Sequence, residues 1–305
     1  VPPKNQYIAP QEVEAAIQES GYLLERRAAQ VLEENKFEVF PNWLFPVPGD
    51  PGKMNEVDVL ARTFEWISGE TWSRASAIAF VECKNNSQPV AFFLSPQKSP
   101  DANDARILYA GFPQDAIPPD DEELRKLLKM KDWHHYCETK EVATQFCGFK
   151  NKKENDKNKK GNKWKAEPMA NYTQSFSALC LAAISRSSLF PTDEQNIELE
   201  FYYPIVVFQG PIYAVHVDGA NLRTESVGHV QLHHGASVYA KPIKAQVDVV
   251  TESEFPTLLQ TILKELKRIQ EGLQEHYERL LATSIAQKRL VKHAEIRARF
   301  SRAAG

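Results

Sequence analysis

The stretch with the clearest chemical potential is Ala77-Ile-Ala-Phe-Val-Glu-Cys-Lys84, an apolar run that ends in an acid and an amine. A strand sends alternate side chains to the same side, so Ile78, Phe80, Glu82 and Lys84 share one face. A carboxylate and an ammonium then stand together where an apolar strand emerges from the core. Upstream, Val57-Asp58-Val59 opens a second β-prone run that reaches Thr63. If the two runs form a hairpin turning near about residue 70, opposed positions sum to about 140, which sets Asp58 across from Glu82. Two carboxylates at that spacing repel unless a cation lies between them. A hard divalent ion with oxygen ligands is the natural resident, and Mg²⁺ needs only one or two protein carboxylates. Metal and lysine together make a centre for attacking phosphodiesters. The metal lowers the pKa of a bound water and neutralises the transition state, and the amine orients or deprotonates that water. Glu25, on the helix expected before these strands, is a candidate outer ligand for a second metal or its hydrating water. Glu56 is a further acid beside Asp58, expected on the other face of the strand. Gln88, shortly after the lysine, is the remaining side chain within reach.

Gly21-x-x-x-Glu25 on a helix, then Asp58 on a strand, then Glu82-x-Lys84 on the next strand resembles the PD-(D/E)xK nuclease superfamily. The match covers roughly residues 11 to 90. The resemblance implies an α/β restriction-endonuclease-like fold, a central mixed sheet flanked by helices. It also implies Mg²⁺- or Mn²⁺-dependent hydrolysis of nucleic acid, usually DNA. On that footing Asp58 and Glu82 would be metal ligands, Lys84 the catalytic lysine and Glu25 the helix carboxylate found in many members. Val57 stands where the motif name has proline, and no Gln-x-x-x-Tyr follows the lysine, so the helicase-linked exonuclease branch is not indicated. The expected activity is that of an endonuclease on DNA, with RNA left open. Two readings compete with it. One is a catalytically silent module of the same fold that binds nucleic acid or a partner protein. The other is an unrelated α/β scaffold or assembly subunit that oligomerises through its C-terminal helix, with Glu82 and Lys84 no more than a surface salt bridge.

The elements that must position these residues follow from periodicity. Ile17, Leu24, Ala28, Val31 and Leu32 recur at helical spacing and predict one helix over residues 11–35. Lys36 to Phe40 reads as a short strand, Pro41 to Gly52 as a Pro/Gly-rich loop, and Asp121 to about Phe146 as helical. A helix over residues 171–188 and strands at 201–209, 212–217, 228–232, 237–240 and 245–250 follow. From Pro256 to Phe300 the pattern is helical, with Leu258, Ile262, Leu266, Ile269, Leu273, Tyr277 and Leu280 forming an apolar stripe for core or dimer packing. The division expected is a nuclease domain over residues 1–255, carrying an insertion over about 95–167, and a long C-terminal helix over 256–305 that could serve a homo-oligomer or a partner protein. Within the insertion, Lys150, Lys152, Lys153, Lys159, Lys160, Lys163 and Lys165 make a low-complexity basic loop with Trp164 embedded in it. Such a tract can neutralise phosphates while the indole stacks on a base.

The chain has 305 residues, with Lys+Arg 37 against Asp+Glu 40 and a formal net charge of −3, which excludes a polycationic, histone-like protein. No apolar run approaches the ~18 residues of a membrane helix. The chain opens on Val1-Pro2-Pro3, neither a signal peptide nor an initiator methionine, and reads as a fragment of something longer. Cys83, Cys137, Cys147 and Cys180 lack CxxC spacing, which points to a reducing, cytoplasmic setting. His134-x-x-Cys137 followed by Cys147 lacks a fourth zinc ligand, and His229, His233 and His234 sit in a strand region that splits them between faces. Neither a phosphate-binding GxxxxGK[ST] loop nor a GxSxG elbow occurs.

Overall fold

The computed structural model describes residues 8–67, 73–97, 107–111, 121–152, 163–189, 198–238 and 241–277 together with Leu280. Two helices, α1 (Pro10–Glu19) and α2 (Tyr22–Glu34), lead into the strands β1 (Glu38–Val47), β2 (Asp50–Trp66), β3 (Arg74–Lys84), β4 (Val90–Pro96) and β5 (Leu108–Ala110). Next come α3 (Asp121–Leu127), α4 (His135–Glu138), β6 (Glu141–Lys152), β7 (Lys163–Glu167) and α5 (Ala170–Leu189). The strands β8 (Glu198–Phe208), β9 (Ile212–Asp218), β10 (Asn221–Val227), β11 (His229–Val238) and β12 (Lys241–Thr251) follow, and a final helix, α6, occupies 255–277.

All the strands join one 12-stranded mixed sheet in the order β1-β2-β3-β8-β12-β11-β6-β4-β9-β10, with β5 added to β8 and β7 to β6. β3, β8 and β12 run parallel at its centre. A central parallel strand is covered on both faces and so reads as a continuous apolar run, as the fully buried Leu199 to Phe208 does. Alternation then sorts each strand between two cores. Ala77, Ala79, Val81 and Cys83 face one core with α2 and α6, through Leu24, Ala28, Leu32, Leu259, Ile262, Leu266 and Ile269. Ile78 and Phe80 face the other, with Phe176, Leu179, Cys180 and Ala183 of α5. The architecture is thus α/β, with helices on both faces of the sheet.

Several sequence expectations are corrected. The single first helix breaks at Ser20-Gly21 into α1 and α2. The Pro/Gly-rich loop over 41–52 is strand instead. β1 runs through Pro41 and Pro46 because it is the edge of the sheet, where a missing N–H leaves no neighbour unpaired. Its turn into β2 uses Gly49 at φ 90°. The helix expected from 121 to 146 ends early, since Cys147, Phe146 and Ala143 pair with β4. The insertion therefore builds part of the sheet. The basic loop is likewise strand at both ends, where Lys150 pairs with Lys165 and Asn151 with Trp164. Lys153, Lys159 and Lys160 lie outside the described residues. β10 was not foreseen. The apolar stripe of the last helix is buried within this chain, from Leu258 to Leu273, which leaves those positions unavailable to a second copy.

Candidate active site

Pairing of β2 with β3 sets Val59 against Val81, Leu60 against Phe80 and onward to Trp66 against Arg74, the register the hairpin spacing predicts. One step further out lie Asp58 and Glu82. The ladder stops there, and Asp58 Oδ2 accepts the backbone N–H of Cys83 at 2.7 Å. Asp58 also sits at an irregularity of the outer hairpin. Asn42, which would face it from β1, has φ 52° and drops out of the ladder between Pro41 and Trp43. Val57 and Leu60 both enter the core beneath α5 although an odd separation should part them, and Phe40 and Trp43 repeat this in β1. Both strands change parity at this point. Glu56, expected to face away, lines the same cleft as Glu82; two residues from Asp58, it falls where alternation returns a side chain to the same face.

Glu82 is 6% exposed, and its Oε2 accepts from Lys84 Nζ at 2.8 Å. Burial pushes the Glu82 pKa up; Lys84 opposes this, and the negative charge of Asp58 adds to the rise. The lysine shows the converse. Burial alone would lower it, but Glu82 outweighs burial and raises its pKa, so Lys84 is an ammonium. An ammonium donates hydrogen bonds and stabilises negative charge; it does not take a proton from water. Glu25 belongs to the same group, its pKa raised by burial and then by the charge of Asp58, and lowered by Lys84. Besides its core contacts, α2 is tied to the end of β3 at the α1–α2 junction, where Asn85, next to Lys84, donates its amide to the Ser20 carbonyl at 2.6 Å. A Cβ at Gly21 would lie 3.3 Å from Glu25 Oε1, so the junction glycine leaves room for that carboxylate.

Asp58, Glu82, Lys84 and Glu25 are therefore brought together at the end of β3. Gln88 is exposed in the following turn, with its N–H held by Asn86. Lys150 and Lys165 both lie against Glu167, at 2.8 and 4.0 Å, which offsets part of their charge; Trp164 is half exposed.

Sequence reasoning missed the contribution of α5. Ser175 lies close enough to Glu82 to oppose the rise in its pKa, while its hydroxyl donates to the Asn171 carbonyl at 3.4 Å; Tyr172 lies near Lys84 and Asn86, packed edge-on against Phe208. Nothing in the local sequence could have found them, because they lie roughly ninety residues away across the insertion. Between α5 and the first half of β2 lies a cleft of about 740 Å³, lined by Lys53, Asn55, Glu56, Glu82, Asn171 and Gln174 among others.

A second titratable cluster lies between the sheet and helices α4 and α6. His135 is bonded through Nδ1 to Glu265 at 2.8 Å and through Nε2 to Asp248 at 3.2 Å. Asp248 also accepts from Tyr136 Oη at 2.8 Å and meets His229 Nε2 at 2.9 Å. Burial opposes charge on His135, but the two carboxylates outweigh it and raise its pKa to about 10. His134, fully enclosed, is pushed down to about 4 by burial. Ligand atoms of His134, His135 and Glu265 lie within 4.8 Å of one another. Yet His134 Nδ1 accepts the Tyr136 N–H at 3.2 Å, so a neutral ring carries its proton on Nε2, the nitrogen a metal would need. Both nitrogens of His135 are engaged by acids. The geometry is that of an ion cluster rather than a metal centre, and Cys137 takes no part in it.

Comparison with family models, curated proteins and solved structures gives no match in any of the three. No helix among the described residues is long and apolar enough to cross a membrane.

Proposed function

We propose that this chain hydrolyses phosphodiester bonds of DNA with a divalent metal ion, on a scaffold of the restriction-endonuclease-like, PD-(D/E)xK type. The observation that carries the reading is the convergence of Asp58, Glu82 and Lys84 at one strand end, with Glu82 only 6% exposed and held 2.8 Å from the lysine. The surrounding order supports it: an antiparallel β1-β2-β3 unit, then a helix, α5, leading into β8 parallel to β3.

The residues fit a cation. Asp58, Glu82 and Glu25 offer only oxygen, a donor set suited to Mg²⁺ or Mn²⁺. Burial and mutual repulsion raise the pKa of Glu82 and Glu25, a strain that a positive ion relieves. Asp58 and Glu82 would hold the ion, and Glu25 would bond its hydrating water. When bound, the metal supplies an acidified water and charge compensation at phosphorus. The chain's own residues do the rest. Lys84, kept charged by Glu82, donates to the attacking water or to a phosphate oxygen. The backbone N–H of Cys83 fixes the Asp58 carboxylate, and Ser175 and Tyr172 limit the motion of Glu82 and Lys84.

The test is cleavage of plasmid and linear DNA with Mg²⁺ or Mn²⁺ by the intact chain and by Asp58→Asn and Lys84→Met. Each variant should lose about 100-fold to 1,000-fold in rate, the scale of removing one preorganised charge-stabilising group, with the melting curve retained. Cleavage that persists in EDTA, or that survives Lys84→Met, would exclude this mechanism. DNA binding with no cleavage in either metal would leave a catalytically silent module.

A further inference from the structure

Resting on the hydrolase reading above, we infer that the cleft between β2 and α5 receives a single strand of DNA, not an intact duplex, and delivers it to Glu82. One wall is Lys53, Asn55 and Glu56 of β2; the other is Asn171, Thr173, Gln174 and Ser177 of α5, with Glu82 between them.

Size is the first argument. At about 740 Å³ the cleft matches pockets that enclose a small molecule, roughly 300–1,000 Å³, which is the space of one or two nucleotides. Reading an intact duplex calls for the opposite shape, a helix or ribbon standing out from the protein to enter a groove about 12 Å wide. Charge is the second. Proteins that track duplex DNA neutralise many phosphates, whereas among the described residues the cations at this cleft are Lys53 on its wall and Lys84 behind Glu82, itself paired at 2.8 Å. The third is chemistry. Asn171, Gln174, Thr173 and Ser177 offer neutral amide and hydroxyl groups, which bond the Watson–Crick edges of unpaired bases, edges a duplex conceals. The α5 wall is also braced: Ser177 Oγ lies 2.9 Å from His234 Nε2, and burial lowers the pKa of that imidazole, so it adds no positive charge.

The experiment measures binding of the full chain, loaded with Ca²⁺, to a labelled twelve-nucleotide single strand and to a blunt duplex of the same sequence, alongside Mn²⁺-dependent cleavage of both. Gln174→Trp and Asn55→Trp fill the cleft from opposite walls, and their melting curves report folding. The single strand should bind at least tenfold more tightly than the duplex. Its log K against log salt should fall with a slope of about −0.7 to −1.4, the value for one or two phosphate contacts. Either tryptophan should weaken single-strand binding at least tenfold. Equal or tighter binding of the duplex, or single-strand binding untouched by both folded tryptophan variants, overturns the inference. The two claims fail separately. Tight, tryptophan-sensitive binding of the single strand without cleavage keeps the cleft assignment and refutes the hydrolase. Equal cutting of blunt duplex does the reverse.

Discussion

Replacing His135 with Asn removes the imidazolium that lies between Glu265 at 2.8 Å and Asp248 at 3.2 Å, and leaves two enclosed carboxylates facing a neutral amide. The magnitude follows from linkage. The pKa rises from 6.5 to about 10, and at about 1.4 kcal/mol per unit this is on the order of 5 kcal/mol. The His135 side chain is only 11% exposed, so solvent screening takes little away, and removing one partner of a buried pair costs about 3–5 kcal/mol by independent precedent. A raised histidine pKa means the folded state holds the proton more tightly than the unfolded chain. The contribution is therefore fully present below about pH 6.5 and fades as pH climbs through about 10. Asp248 and Glu265 have the opposite sign: for both, the imidazoles outweigh burial and depress the pKa, so their contribution is lost on acidification. Urea unfolding of both proteins at pH 6.5, 7.5 and 9.5 reads the difference directly. It should be about 4–5 kcal/mol at the first, about 3 at the second and under about 1 at the third. A difference that is flat across this range, or below about 1 kcal/mol at pH 6.5, would refute the charge-cluster reasoning.

Three further outcomes are expected. Ser175→Ala should weaken Mn²⁺ binding, read by electron paramagnetic resonance of the free ion, by about twofold to tenfold, because a polar neighbour of the Glu82 carboxylate is lost; Ser175→Thr should restore it, and wild-type affinity in the alanine variant would remove Ser175 from the site. Ile262→Ala, at a fully buried position on α6, should cost about 2–5 kcal/mol in urea unfolding, and a cost under about 1 would show that α6 is not part of the core. Gly210→Ala would put a Cβ 2.2 Å from the Asn86 carbonyl oxygen, a backbone atom that cannot turn aside, and should destabilise by about 1–3 kcal/mol in thermal melts. Since Asn86 lies beside Tyr172, the same change should lower any cleavage rate more than an equally destabilising substitution far from β3.

The parts of the site that were legible in the sequence were those carried by local periodicity. Alternation fixed the shared face of Phe80, Glu82 and Lys84, and the constant sum along a hairpin gave the Val59–Val81 register. The parity change at Asp58 was hidden, because it depends on Asn42 adopting φ 52° on the neighbouring strand; Glu56 lines the Glu82 cleft for the plainer reason that a residue two from Asp58 shares its face. Proline misled at Pro41 and Pro46, since a breaker in a central strand is harmless at an edge and the sequence does not say which strand is the edge. The helical pattern from 141 to 146 lost to tertiary pairing with β4. The ion cluster joins residues from four separate elements, His135, Asp248, Glu265 and Tyr203, and no spacing rule connects them.

The packing of α6 has a consequence for synthesis. Leu24, Ala28 and Leu32 find their cover in Leu259, Ile262 and Leu266, which are made more than two hundred residues later. At ~5–20 residues per second the hairpin that carries Asp58 and Glu82 waits on the order of ten seconds or more with one apolar face exposed. Domain-wise folding during translation is closed to this chain, and its yield in cells should respond to chaperones that shield nascent sheets.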